Sequence, residues 1–323
     1  MTLSVSRRLL CAALCLSALL LTDGCNRQGR KRIAVIPKGR AHLFWQSIHA
    51  GAIAAARENN VDIVWNGPTS EVDYTGQMQI VDAMINQRVD AICLAPIDRT
   101  VMVSVVDRAA RQGIPVVIFD SGVDTDNFVS QVATDNYRAG QMAAERLGKI
   151  IGGKGKVGMI AVQPGAASTM AREQGFEDTV KKEMPGIQIV DKRYGWADFA
   201  KSLDVSENML TAHTDLTALF ASNESSTVGA VRALQARSTG VKLVGFDWSP
   251  PLADGLKSGL IDSLVVQDPF RMGYESVKAA VEKLKGGTPA KINNLPPLVV
   301  TKENLSDPAV DKRLNPDLDK YLK

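Results

Sequence analysis

Short apolar runs alternate with longer segments carrying an apolar stripe along most of this chain. Runs at 33–36, 61–65, 91–94 and 115–119 are four or five residues long and rich in Ile, Val and Leu. They predict strands. The segments between them, 44–58, 71–87 and 101–112, space their apolar residues near the helical period, and Ile80, Val81, Met84 and Ile85 share one side of the second. The order restarts with a strand at 129–133 and a helix at 137–151, for which Asp135 is a candidate cap. A Gly-Lys turn at 152–156 follows, then strands at 157–162, 187–192, 216–221, 242–246 and 261–267. Helices are expected at 170–183, 203–212, 225–237, 252–258 and 274–285. Repeated βαβ units predict parallel sheets. The fold class is therefore α/β, with two Rossmann-like, doubly wound parallel-sheet lobes.

Four of the predicted strands end in polar side chains. Val116-Val117-Ile118-Phe119 runs into Asp120, Leu219-Phe220-Ala221-Ser222 into Asn223 and Glu224, Leu243-Val244-Gly245-Phe246 into Asp247, and Leu264-Val265-Val266 into Gln267 and Asp268. Ligands of open parallel sheets bind outside the carboxyl ends of the strands. Asp, Asn and Gln gathered there suit the hydroxyls of a neutral polyol. Phe44 and Trp45, at a helix start just after the first strand, could supply a plate for an apolar sugar face. Each of these residues also has an ordinary reading, as a cap, a turn residue or part of the core.

The first residues change the picture of where the chain works. Arg7 and Arg8 precede a 13-residue apolar run at 9–21, too short to span a bilayer as a helix. Gly24 then stands directly before Cys25, as in a lipoprotein processing site, although Asp23 is unusual there. Residues 1–24 read as a signal peptide, Cys25 as a lipidation site and 25–32 as a tether. Plain secretion is the alternative. Processing would lower the formal net charge of +3 by one, so no basic nucleic-acid surface is implied. Of the four cysteines, Cys11 and Cys15 leave with the leader, and Cys93 sits in an apolar strand. No pair remains for a disulfide or a zinc site. The three histidines, His42, His49 and His213, lack metal-ligand spacing. Gly153-Lys154-Gly155-Lys156 lacks the spacing of a phosphate-cradling loop. No metal, cofactor or catalytic residue is expected.

Several stretches together resemble the type I periplasmic sugar-binding proteins, and among them the ribose-binding group of ATP-driven importers. They are Phe44-Trp45 followed by Gly51, Phe119-Asp120, Ala133-Thr134-Asp135-Asn136, Met170-Ala171-Arg172-Glu173-Gln174-Gly175-Phe176, Leu210-Thr211-Ala212-His213, Ala221-Ser222-Asn223-Glu224, Val244-Gly245-Phe246-Asp247 and Gln267. The resemblance, over residues 33–300, implies two lobes joined by three hinge strands, 33–134 plus 268–296 and 135–267 plus 297–305, with 306–323 as a surface tail. It implies a monosaccharide held between the lobes by Phe44, Trp45, Asp120, Arg172, Asn223, Phe246, Asp247 and Gln267, with either Trp196 or Phe199 as a further stacking aromatic. Lys38, His42, Ser121 and Glu224 stand where the ribose-binding pattern has Ser, Asn, Arg and Asp; Lys38, His42 and Ser121 are kept as candidate contacts. If Lys38 and His42 face the cleft, they could favour an acidic or phosphorylated ligand. Trp248 is a candidate wall of the cleft.

The implied protein is a monomeric, non-enzymatic receptor, periplasmic or on the cell surface, that passes its sugar to an ABC-type membrane permease. A receptor presenting its ligand to a chemoreceptor or histidine kinase fits the same residues. A lactose-repressor-type regulator needs a DNA-binding helix-turn-helix where this chain has its leader.

Overall fold

The computed structural model describes residues 29–237 and 240–323. The expected signal peptide and Cys25 lie outside the described residues. From Arg32 onward the chain forms one compact unit containing two six-stranded sheets.

The first sheet holds β1 (Arg32–Ile36), β2 (Asp62–Trp65), β3 (Ala91–Leu94), β4 (Val116–Phe119), β5 (Ser130–Thr134) and β11 (Ile292–Leu295), in the order β11-β5-β4-β3-β1-β2. All its pairings are parallel. The second holds β6 (Lys154–Ala161), β7 (Gly186–Tyr194), β8 (Ala218–Ala221), β9 (Lys242–Phe246), β10 (Ser263–Val266) and β12 (Leu298–Thr301), in the order β12-β10-β9-β8-β6-β7. It is parallel except for β12, which runs antiparallel to β10. Both orders are doubly wound, and each reverses direction at its first strand, where such sheets open a crevice.

The inner strands are continuous apolar runs because helices cover both faces of each sheet. In the first sheet, Ile33, Val35, Cys93, Val117 and Phe119 face one core, with α1 (Leu43–Asn59) and α9 (Pro269–Leu284) over it. Ala34, Ile36, Ile92, Leu94 and Ile118 face the other, under α2 (Tyr74–Asn86) and α3 (Val103–Arg111). The second sheet repeats this with α4 (Asn136–Ile150) and α5 (Ala167–Glu183) on one side. Helices α6 (Phe199–Ala212), α7 (Glu224–Arg237) and α8 (Pro250–Ser258) cover the other. Cys93 is fully buried and its thiol is pushed up by burial, as befits an inert core residue.

Two helix pairs set the position of the cleft walls. A Cβ on Gly51 of α1 would stand 1.9 Å from the Phe270 carbonyl oxygen of α9, and one on Gly273 would stand 2.0 Å from that of Ile48. In the second lobe, Gly140 of α4 meets the Arg172 carbonyl oxygen at 1.9 Å and Gly175 of α5 meets that of Tyr137 at 2.1 Å by the same construction. Only glycine permits such contact of backbones.

The chain passes between the sheets three times. Helix α4, after β5, packs on β8 to β10; α9, after β10, packs on β3 to β5; and β11 leads directly to β12. The short strands β11 and β12 go beyond the apolar pattern, and β6 begins at Lys154, inside the stretch read as a turn. The tail is more than a surface layer. In α10 (Pro308–Leu314), Val310 and Leu314 are buried in the second core. Helix α11 (Asp319–Leu322) lies on α1, where Arg57 donates to the carbonyl oxygens of Lys320 and Tyr321 at 2.9 and 3.3 Å.

Candidate functional site

The carboxyl ends of both sheets converge on one small, buried cavity lined by side chains of both lobes. Nine of the thirteen candidate residues line it: Lys38, His42, Phe44, Trp45, Asp120, Arg172, Asn223, Asp247 and Gln267.

From the first lobe, Lys38 follows β1 and is 4% exposed. Its Nζ lies 2.8 Å from Asp120 Oδ2 and donates to Ser168 Oγ of the second lobe at 3.0 Å. His42 precedes α1, with Nδ1 2.7 Å from Glu71 Oε1. The same oxygen accepts the Trp45 indole N–H at 2.7 Å. Burial alone would lower the His42 pKa, but its bond to Glu71 and the negative charges of Glu71, Glu224 and Asp247 outweigh that and raise it to about 9. Burial likewise works against ionised Glu71, yet His42, Lys38 and Trp45 hold its pKa below the ordinary value. Phe44 meets Trp45 edge-on at 4.9 Å and lines the cavity.

From the second lobe, Arg172 of α5 is 2% exposed and enters the cavity from beneath. Its Nε donates to Asn136 Oδ1 at 2.8 Å, a terminal nitrogen donates to the Ser222 carbonyl at 3.0 Å, and its guanidinium carbon lies 4.6 Å from the centre of the Phe246 ring. Asn223 accepts the Ser226 N–H at 2.9 Å. Asp247 accepts Gln267 Nε2–H at 2.7 Å on Oδ1 and the Glu224 N–H at 2.9 Å on Oδ2. Gln267 in turn accepts the Thr134 hydroxyl at 2.7 Å. Burial raises the Asp247 pKa, with Asp120 adding to the shift and Arg172 opposing it.

Asp120 and Asp247 end corresponding strands, β4 and β9, and both adopt the left-handed region, at φ 61 and 68. This conformation is costly for a residue with a Cβ and collects at functional sites. At both strand ends it coincides with a carboxylate turned into the cavity.

Four of the thirteen candidates, and the candidate wall residue Trp248, do not line the cavity. Ser121 stands one step behind it, its hydroxyl accepting the Ser168 N–H at 3.0 Å. Phe246 belongs to the second core, because strand alternation turns it away from the face that Asp247 uses; it supports Arg172 from below. Trp196 is 45% exposed on a loop with φ 57. Phe199, the alternative to it, packs edge-on against His42 at 5.0 Å and so backs the cavity wall. Trp248 lines a neighbouring crevice and donates to Asn315 Oδ1 at 3.2 Å.

The cavity also contains residues outside the candidate set. Glu71 arrives in the loop before α2, Gln163 follows β6, and Ser168 and Thr169 lie one turn before Arg172 on the same side of α5. That spacing on a helix already carrying Arg172 was the available signal for them. Glu224, next to Asn223, lines the cavity too. The charges nearly balance: Lys38, His42 and Arg172 face Glu71, Asp120, Asp247 and Glu224.

The periplasmic binding protein domain family matches residues 33–288, and the chain belongs to that family, as a type I sugar-binding protein. Its members are binding components and not enzymes, and they work in the periplasm. A D-ribose/D-allose-binding protein of Pseudomonas aeruginosa is 32% identical, over 88% of this chain and 93% of its own. A carbohydrate transporter solute-binding protein of Agrobacterium radiobacter, solved in complex with D-arabinose, is 33% identical with a TM-score of 0.87, over 89% of this chain and all of its own. An ABC transporter solute-binding protein of Agrobacterium vitis, solved with D-fucose, is 32% identical with a TM-score of 0.85, over 88% of this chain and 100% of its own.

Proposed function

We propose that this chain captures a neutral monosaccharide between its lobes and delivers it, unaltered, to the membrane permease of an ABC importer. The observation that carries this reading is the meeting of polar strand ends from both sheets in one buried cavity. Asp120, Arg172, Asn223, Asp247 and Gln267 would hold hydroxyls, and Phe44 would cover an apolar face of the ring. Lys38 and His42, which could have drawn an acidic ligand, already face Asp120 and Glu71, and this favours a neutral one.

In this reading residues 33–134 with 268–296 and residues 135–267 with 297–305 are the two lobes, and the three crossings are the hinge about which they open. Cys25 carries a lipid anchor after removal of 1–24, and the receptor acts as a monomer. Fatty-acid labelling of the wild type and of Cys25→Ala tests the anchor.

The function is tested by thermal shift with a panel of neutral monosaccharides. A true ligand at 100 times its Kd adds about 2.7 kcal/mol of stability. No shift with any monosaccharide, or chemical conversion of the bound sugar, would overturn the proposal.

A further inference from the structure

Glu224 opens α7 directly after the tip of β8 and is 5% exposed. Its backbone N–H is fixed on Asp247 Oδ2 at 2.9 Å. Its side chain lines the cavity, and its Oε2 is a buried oxygen with no hydrogen-bond partner among the described residues. Buried polar atoms of folded proteins are nearly always satisfied, and each exception calls for an explanation.

The groups around it identify what is missing. From the first lobe, the start of α1 presents the positive charge of His42 and turns the Phe44 N–H toward this side; Glu71 adds a negative charge. From its own lobe, the end of β9 presents Asp247, a second like charge. Burial raises the Glu224 pKa first; the attraction of His42 is offset by Asp247 and Glu71, and the result is about 7. The other cations are engaged: Lys38 with Asp120 and Ser168, Arg172 with Asn136 and Ser222. Among the described residues, no donor reaches Oε2. The cavity is the side from which one can come.

We propose that Glu224 is a ligand-contacting residue whose Oε2 accepts a hydroxyl hydrogen of the bound sugar, while His42, lining the same cavity from the opposite lobe, attracts the carboxylate across the cleft. This deepens the sugar-receptor reading above and rests on it. A sugar bound this way satisfies the orphan oxygen, and the carboxylate then ties the ligand to both lobes at once. Glu224 thereby couples occupancy to closure.

The test is calorimetry on the mature chain with D-ribose, D-allose, D-arabinose, D-fucose and D-tagatose, using the tightest binder for wild type, E224Q and E224A. Ligand-free melting temperatures are measured alongside. We expect E224A to weaken binding at least tenfold and E224Q at least threefold, with the ligand-free E224Q melting no lower than wild type at pH 8. The conservative amide removes a buried charge, so a loss of affinity without a loss of stability marks a ligand contact. Unchanged affinity in both variants overturns the proposal and leaves the receptor reading standing. So does a loss of affinity matched by a lower ligand-free melting temperature, which would make Glu224 merely structural. If wild type binds no neutral monosaccharide of the thermal-shift panel, the receptor reading itself fails, and this proposal with it.

Discussion

The two lobes share a plan and differ in how they hold charge. Each has the same strand order, a helix pair crossing on facing glycines, and an Asp in the left-handed region at the end of the fourth strand of its sheet. In the first lobe, however, charges meet charges: Lys38 pairs with Asp120 and His42 with Glu71. In the second, they meet neutral groups: Arg172 rests on an amide, a carbonyl and an aromatic ring, and Asp247 on an amide and a backbone N–H. The backbone plan therefore fixes where a side chain enters the cleft, and the identity of its partners decides how much charge it still offers to a ligand. The first lobe offers a compensated wall; the second offers unspent donors and acceptors.

The shared plan can be broken most severely at the helix crossings. Gly51→Ala and Gly140→Ala each drive a methyl group into a backbone carbonyl oxygen. Neither neighbour is a flexible side chain, so each substitution is expected to cost about 3 kcal/mol in chemical denaturation. Losses below about 1 kcal/mol would mean that the helix pairs do not fix the lobes. Gly140→Ala also displaces the carbonyl of Arg172 itself, so sugar affinity should fall in that variant even where it remains folded.

The difference between the lobes is tested next by Arg172→Ala against Lys38→Ala. Removing Arg172 takes away two hydrogen bonds and the contact with Phe246 and leaves Asp247 without its nearest compensating charge. We expect at least a tenfold loss of sugar affinity and a loss of about 3 kcal/mol of stability, the cost of stranding a buried charge. Lys38→Ala strands Asp120 in the same way, but removes a group already occupied, so its effect should fall more on stability than on binding. Equal losses of affinity in calorimetry would erase the proposed division of labour.

A smaller effect is expected at the tail. Leu314→Ala empties a site in the second core and should cost about 2 kcal/mol, measured by urea denaturation. An unchanged midpoint would return the tail to a surface role.

How much of this could be read from the residues depends on what made each one visible. Asp120, Asn223, Asp247 and Gln267 terminate apolar runs, so periodicity alone placed them at strand ends, and the parallel sheet then gathered them. Arg172 became visible only through resemblance, since an Arg within a helix carries no local signal. Glu71 could not be read as a site residue, because its sequence position reads as the start of a helix that begins only at Tyr74, and its contact with His42 is set by the fold. The choice between Trp196 and Phe199 turned on loop conformation: φ 57 carries Trp196 outward, while the Asp198 cap starts α6 and sets Phe199 behind His42. Val310 and Leu314 are two apolar positions in a short polar helix, too few to form a recognisable stripe. Strand β11, Ile-Asn-Asn-Leu, is defined by its pairing with β5 and not by its composition.

The finest test separates the two titrating groups that face each other across the cleft. Glu224 has a folded pKa of about 7 against an ordinary 4.5, so its protonated form is favoured by folding. Its contribution to stability is complete below pH 4.5 and is lost as the pH rises to about 7. His42 moves from 6.5 to about 9, so its charged form is favoured; that contribution is complete below pH 6.5 and is lost as the pH rises through about 9. Each window is expected to span about 2 kcal/mol, allowing for solvent relaxation around a group near the cleft. Denaturation midpoints measured from pH 4 to 10 should therefore decline in two steps. E224Q should remove the lower step and leave the upper one smaller, because His42 loses one of its attracting charges. His42→Gln should remove the upper step, enlarge the lower one and carry it to higher pH, since Glu224 then lacks its counter-charge and is harder still to ionise. If each substitution left the other group's step unchanged, the His42 and Glu224 charges would not interact across the lobes, and the compensated wall of the first lobe would be independent of the second.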